Sequence, residues 1–277
     1  MKKYELIPVV VENDNLVLHR IKALKDFGCV KAGELGGWIE SEENLSQDGT
    51  SWVFDNAKVS GKAMVYGNAE IHNNAWILGN AVVYENAKVR NNAMVFNNAG
   101  VYGDARISNN ARVYGNAVIY GNARVFNDSN IYGNASIYGN AKIYRYASVC
   151  DNATVHGKSR VYHNAQIFGE ANVCDYAYIY GDAVVHGKAN IFGHINVYGN
   201  ADICDAKVYS KEDYIVFKNF WSSGRYFTWT RSNNMWRVGC FYGTGEELIK
   251  KAYHDSERSG REYERVVRYV ESILADE

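Results

Sequence analysis

The residues of this 277-residue chain best suited to proton transfer or nucleophilic attack are its seven histidines and five cysteines. A histidine titrates near neutral pH and can take a proton from a hydroxyl or an amine. His72, His156 and His186 fall at outward strand positions of a repeating pattern, and His163 and His194 fall at its turns. His156 is the candidate general base, because it ends a run of tyrosines and is followed by Cys174. The pattern places no carboxylate where it would fix the histidine's tautomer. Cys29, Cys150, Cys174, Cys204 and Cys240 are odd in number, far apart and without a CxxC pair. That spacing speaks against a disulfide framework or a zinc site, so no metal is expected, and it fits a reducing compartment. Cys150, Cys174 and Cys204 stand where other repeats carry aromatic residues, which points to packing rather than nucleophilic attack. Thr244-Gly245-Glu246-Glu247 opens a helix and lacks the lysine of a phosphate-binding loop.

Any such side chain needs a scaffold, and a period of six dominates this one. From Val53 to Ile203 every sixth residue is Val or Ile, 26 in succession with no insertion. Four residues after each aliphatic stands a small residue: of 25 such positions 22 are Ala, and the others are Ser129, Ser159 and Ile195. A turn dipeptide lies between, most often Gly-Asn, as in Gly67-Asn68 and Gly115-Asn116. The small residue and the next aliphatic are two apart, so in a strand they share the inner face. Gly and Asn tolerate positive φ, which permits a corner every six residues. Three corners close a triangular coil, and coils stacked at ~4.8 Å give about 8–9 coils and a prism ~40 Å long. Each buried Val or Ile contributes ~1.5–3 kcal/mol.

The units V-Y-G-N-A-x and I-Y-G-N-A-x resemble the hexapeptide-repeat superfamily, whose fold is the left-handed parallel β-helix and whose best known members are acyltransferases. The resemblance covers residues 53–203. The expected fold is mainly β. It comprises an N-terminal β-hairpin cap (1–50), a β-helix (51–206) whose left hand comes from the resemblance, and a small α+β module (207–277). The cap reads as strands YELIPVVV and LVLHRIKAL around a turn at Asn13-Asp14-Asn15. The module reads as three strand runs, DYIVFKNF, RYFTWT and MWRVGCFY, then two helices with capping boxes at Thr244/Glu247 and Ser259/Glu262. Tyr263, Val266, Val267, Val270 and Leu274 form the apolar stripe of the second helix.

A triangular coil assigns every third hexad to one face. The first face stacks Tyr66, Tyr84, Tyr102, Tyr120 and Tyr138 beside Met64, Val82, Gly100 and Val118, without a charge until His156. An uncharged strip of that length exceeds what a monomer usually exposes, which points to a homo-oligomer. The second carries Trp76, Leu78, Met94, Phe96, Tyr114 and Tyr132, turning polar after Ser148, and suits burial against the hairpin or another subunit. The third stacks Lys88, Arg106, Arg124, Lys142 and Arg160, with Arg90, Phe126, Tyr144, Tyr162 and Tyr180 alongside. Cations in register repel unless solvated or matched by anions, and their mixture with aromatics suits a polyanionic or acidic protein partner.

Against this local patch the whole chain is balanced, with 30 basic and 31 acidic residues. That balance excludes a generally basic nucleic-acid binder. The start reaches Glu12 before any long apolar run, so neither a signal peptide nor a membrane span is expected, and with the cysteine usage the reading is cytoplasmic. The leading expectation is a non-catalytic scaffold that self-associates or binds a macromolecule through its flat faces, with no cofactor. The resemblance also implies a CoA-dependent acyltransferase, with acyl-CoA in the groove between neighbouring prisms and His156 as base. Such enzymes often carry a loop between coils, and this chain has none. Similar uncharacterised proteins of bacterial and phage genomes, some labelled as acyltransferases on fold alone, imply a third reading, a phage-borne inhibitor of a host protein.

Overall fold

The computed structural model describes residues 1–13 and 16–275, so part of the expected turn, Asp14 and Asn15, lies outside the described residues. The hexads form short strands, mostly of two residues such as Val118–Ile119, which pair in parallel with the strand one coil on, 18 residues later in the regular stretch. Three sheets result, one per face of a parallel β-solenoid. Two have nine strands; the third has twelve, of which the hairpin supplies two and leaves ten parallel rungs. The extra rung is Leu35–Ile39, which pairs with Lys58–Val59, so the solenoid starts earlier than the hexad count reaches. Ile39 and Leu45 keep the six-residue spacing, but two extra residues before Val53 put each 20 rather than 18 residues from its partner, and Gly36 and Gly37 stand where a Cβ would meet Trp52 and Val53.

Inside, the Val/Ile and Ala columns are fully buried, and coil-to-coil bonds such as Val118 N–H to Ala135 O, 2.9 Å, satisfy the backbone. Corners take positive φ as expected: 60° at Asn109 and 73° at Gly115, where a Cβ would stand 2.9 Å from the amide nitrogen and carbonyl oxygen of Gly133. The corner asparagines also link the coils. Asn80, Asn98, Asn116, Asn134 and Asn152 form one amide ladder, each Nδ2 donating to the next Oδ1 at 2.9–3.0 Å.

The hairpin strands Tyr4–Asn13 and Leu16–Ala23 extend the sheet edge antiparallel to Leu35–Ile39. They continue, beyond the first coil, the same sheet that carries Trp76 and Met94 of the second face. Tyr4 and Phe27 pack edge-on to Trp52 over the open end of the core.

At the other end the module has four antiparallel strands where three were expected, Tyr214–Lys218, Tyr226–Thr230, Met235–Val238 and Phe241–Gly243. The run MWRVGCFY folds back on itself at Gly239, whose φ is 58°. Helix α1 (Gly245–Asp255) has its cap at Thr244 with Glu247 in the capping box, as expected. Helix α2 (Glu257–Ala275) is capped three residues before the expected Ser259, because the Ser256 hydroxyl accepts the Ser259 N–H. Tyr263, Val267 and Val270 join Phe227, Trp229, Trp236 and Leu248 in a second core. Among the described residues no helix is long and apolar enough to cross a membrane.

Candidate functional site

The solenoid aligns the five tyrosines of the first face in one column. Ring centroids lie 4.9, 4.8, 5.1 and 4.8 Å apart from Tyr66 to Tyr138, with interplanar angles of 10–18°. His156 continues the column, stacked on Tyr138 at 4.7 Å and 4°. Each interior ring is sandwiched, so the column turns ring edges and hydroxyls outward. Burial raises the hydroxyl pKa values of Tyr84, Tyr102 and Tyr138 above their ordinary value of 10. Val82, Gly100 and Val118 pair in register beside it.

The cation column is equally well registered: Lys88, Arg106, Arg124, Lys142 and Arg160 are successive partners along one sheet. Its two ends are engaged. Lys88 Nζ lies 2.7 Å from Glu70, and the Arg160 guanidinium sits 5.0 Å from the ring centre of Tyr178. Burial alone would raise the Glu70 carboxyl, but hydrogen bonds from Lys88 and His72 hold it below its ordinary value. Arg90 follows Lys88 by two residues, past the inward Val89, and lies one coil from His72. Tyr144 and Tyr162 belong to a second stacked column running from Phe126 to Tyr198, with spacings of 4.9–5.4 Å. Between the cation column and the neighbouring corner runs an open groove of ≈ 300 Å³, lined by Asn122, Arg124, Asn140, Lys142, Lys158 and Arg160.

Among the described residues His156 has no carboxylate within hydrogen-bond reach, and burial raises the thiol of Cys174 one coil on. Two other histidines do have such partners. His72 Nε2 lies 3.0 Å from Glu70, and His186 Nε2 lies 2.8 Å from Asp202 Oδ1. Asp202 Oδ2 accepts from Arg237 Nε at 3.0 Å, and the Asp202 N–H donates to Thr228 Oγ1 at 3.0 Å. Burial alone would raise the Asp202 carboxyl, but His186 and Arg237 together hold it low. Cys204 is the ladder partner of His186, yet burial pushes its thiol up to about 12, so this Cys-His-Asp grouping holds no thiolate at neutral pH. It acts as a clasp between the last coil and the C-terminal sheet. The hexad pattern hides it, because Asp202 follows His186 by 16 residues rather than a full coil and Arg237 comes from the module. His163 takes the turn conformation at φ 60°, and His194 stacks on Tyr176. No group of three or more metal-ligating side chains occurs among the described residues.

Residues 105–119 match the family described as the YdcK beta-solenoid repeat, within the stretch that carries Arg106 and Val118. The chain is a parallel β-solenoid with a six-residue repeat. It is 45% identical over 58 residues to an Escherichia coli (strain K12) protein named "Uncharacterized acetyltransferase YdcK". That match spans 21% of this chain and only 18% of the relative's length.

Proposed function

We propose that this solenoid is a rigid binding protein whose tyrosine face joins it to a second copy of the same chain. The stacked column from Tyr66 to Tyr138, continued by His156, carries the reading. Its rungs repeat at 4.7–5.1 Å along a straight face. A surface stays in register with that repeat over several rungs only if it has the same rise, and another copy of this solenoid has it. An isologous contact of this kind closes at two copies. Sedimentation of wild type against Tyr84→Arg/Tyr120→Arg tests it: the wild type should be oligomeric, and the variant, whose guanidinium groups would be buried without partners, monomeric. A monomeric wild type, or a variant that still associates, sinks the reading.

A second reading, acetyl transfer from acetyl-CoA, is favoured by the partial likeness to the E. coli protein. His156 would act as base. Calorimetric titration with CoA and acetyl-CoA decides it, since saturable micromolar binding supports transfer and an absence of heat at millimolar ligand removes it.

A further inference from the structure

From the groove beside the cation column we infer a binding site for an extended anionic polysaccharide bearing carboxylate or sulfate groups. The site is independent of the tyrosine-face association and lies on another sheet. Three observations carry it.

First, Arg106, Arg124 and Lys142 are adjacent partners in register, and none has an acidic partner among the described residues. Lys158, from the corner, adds a fourth cation and is held by the Tyr176 hydroxyl at 2.8 Å. Like charges side by side cost stability, a cost that a bound anion removes.

Second, the corner ladder fails where the groove lies. Thr50, Asn68, Asn86 and Asp104 are linked one to the next. Beyond Asp104 the ladder stops, and the amides of Asn122 and Asn140 have no side-chain partner among the described residues, whereas an adjacent corner bonds continuously from Asn80 to Asn152. Each free amide offers a donor and an acceptor, which suits hydroxyl-bearing sugars better than a chain of phosphates alone.

Third, the neighbouring aromatic column has spent its faces. Phe126, Tyr144, Tyr162 and Tyr180 lie within 1–11° of parallel and stack on one another, so only their edges meet a ligand. Nucleic-acid strands bind such surfaces by stacking bases on exposed ring faces, and no interior ring here offers one. Spacing agrees: the cations repeat every ~4.8 Å, about one pyranose ring per rung.

The test is fluorescence polarisation at ~0.15 M salt with three labelled probes: an oligogalacturonate, a heparin-derived oligosaccharide, and single-stranded DNA of equal charge. At least one glycan should bind saturably and more tightly than the DNA; the first two probes separate carboxylate from sulfate recognition. Arg124→Glu/Lys142→Glu should weaken glycan binding ~10–100-fold, the effect of one to two lost charge-assisted contacts. Asn122→Ala/Asn140→Ala, which leaves the charge intact, should weaken it ~3–10-fold. Circular dichroism and sedimentation of both variants should match wild type. Failure of both glycans to bind, binding indifferent to both variants, or DNA binding as tightly as glycan each overturns the assignment.

Discussion

Asp202→Asn is the sharpest perturbation of the clasp that fastens the C-terminal module to the solenoid. The carboxylate accepts from His186 on one oxygen at 2.8 Å and from Arg237 on the other at 3.0 Å. Asparagine keeps the shape but turns one oxygen into an NH2 group. If its carbonyl stays on His186, two donors face each other at Arg237. A hydrogen bond to a charged group contributes ~1.5–3 kcal/mol when buried. Asp202 and Arg237 side chains are 29% and 26% exposed, so solvent screening brings the expected loss to ~1–2 kcal/mol. That loss corresponds to ~5–30-fold faster opening of the module. Hydrogen exchange of the strands Tyr226–Thr230 and Met235–Val238, corrected for intrinsic rates, reads it directly. The pH dependence supplies the second half of the test. Because the folded carboxyl lies below its ordinary value of 3.8, its contribution is complete above that pH and is lost as pH falls through the depressed folded value. Wild type and variant should therefore differ at neutral pH and converge in acid, where a protonated carboxyl resembles the amide. Equal exchange at neutral pH, or a gap that does not shrink as the carboxyl takes up its proton, would refute the clasp.

Two further outcomes follow from buried groups elsewhere. Lys3 is fully enclosed, its amine donating to Ser51 O at 3.0 Å, and burial pulls its pKa from 10.5 to about 8. The unfolded chain therefore holds the extra proton above pH 8, so stability should rise by ~1.5 kcal/mol between about pH 8 and 9.5; urea midpoints across that window, below general tyrosine ionisation, should show that rise flattened in Lys3→Met. Cys29 and Cys240 are exposed, whereas Cys204 is buried with its thiol pushed up to about 12. A thiol reagent should label the first two at once and Cys204 only on unfolding; rapid labelling of Cys204 would contradict its place under the module.

The solenoid was legible because its chemistry is local and repeated. A Val or Ile every sixth residue, an Ala four later and a corner tolerant of positive φ state the same instruction 26 times, and the 18-residue coil then puts Lys88 beside Arg106 and Tyr66 beside Tyr84 by counting alone. The first rung at Leu35–Ile39 escaped that count, since two extra residues between Leu45 and Val53 put it out of step with the hexads that follow. The clasp escaped it as well, because His186, Asp202 and Arg237 meet only when an aperiodic module folds back onto the last coil. Whether a ring face is open or covered, and whether a corner amide is bonded or free, also depends on neighbours one coil away. Sequence by itself determined the period, the inner columns and which residue types share a face, for these follow from backbone geometry. Tertiary structure decided which cations, histidines and amides find partners, because pairing depends on side-chain distances that a period of six does not encode.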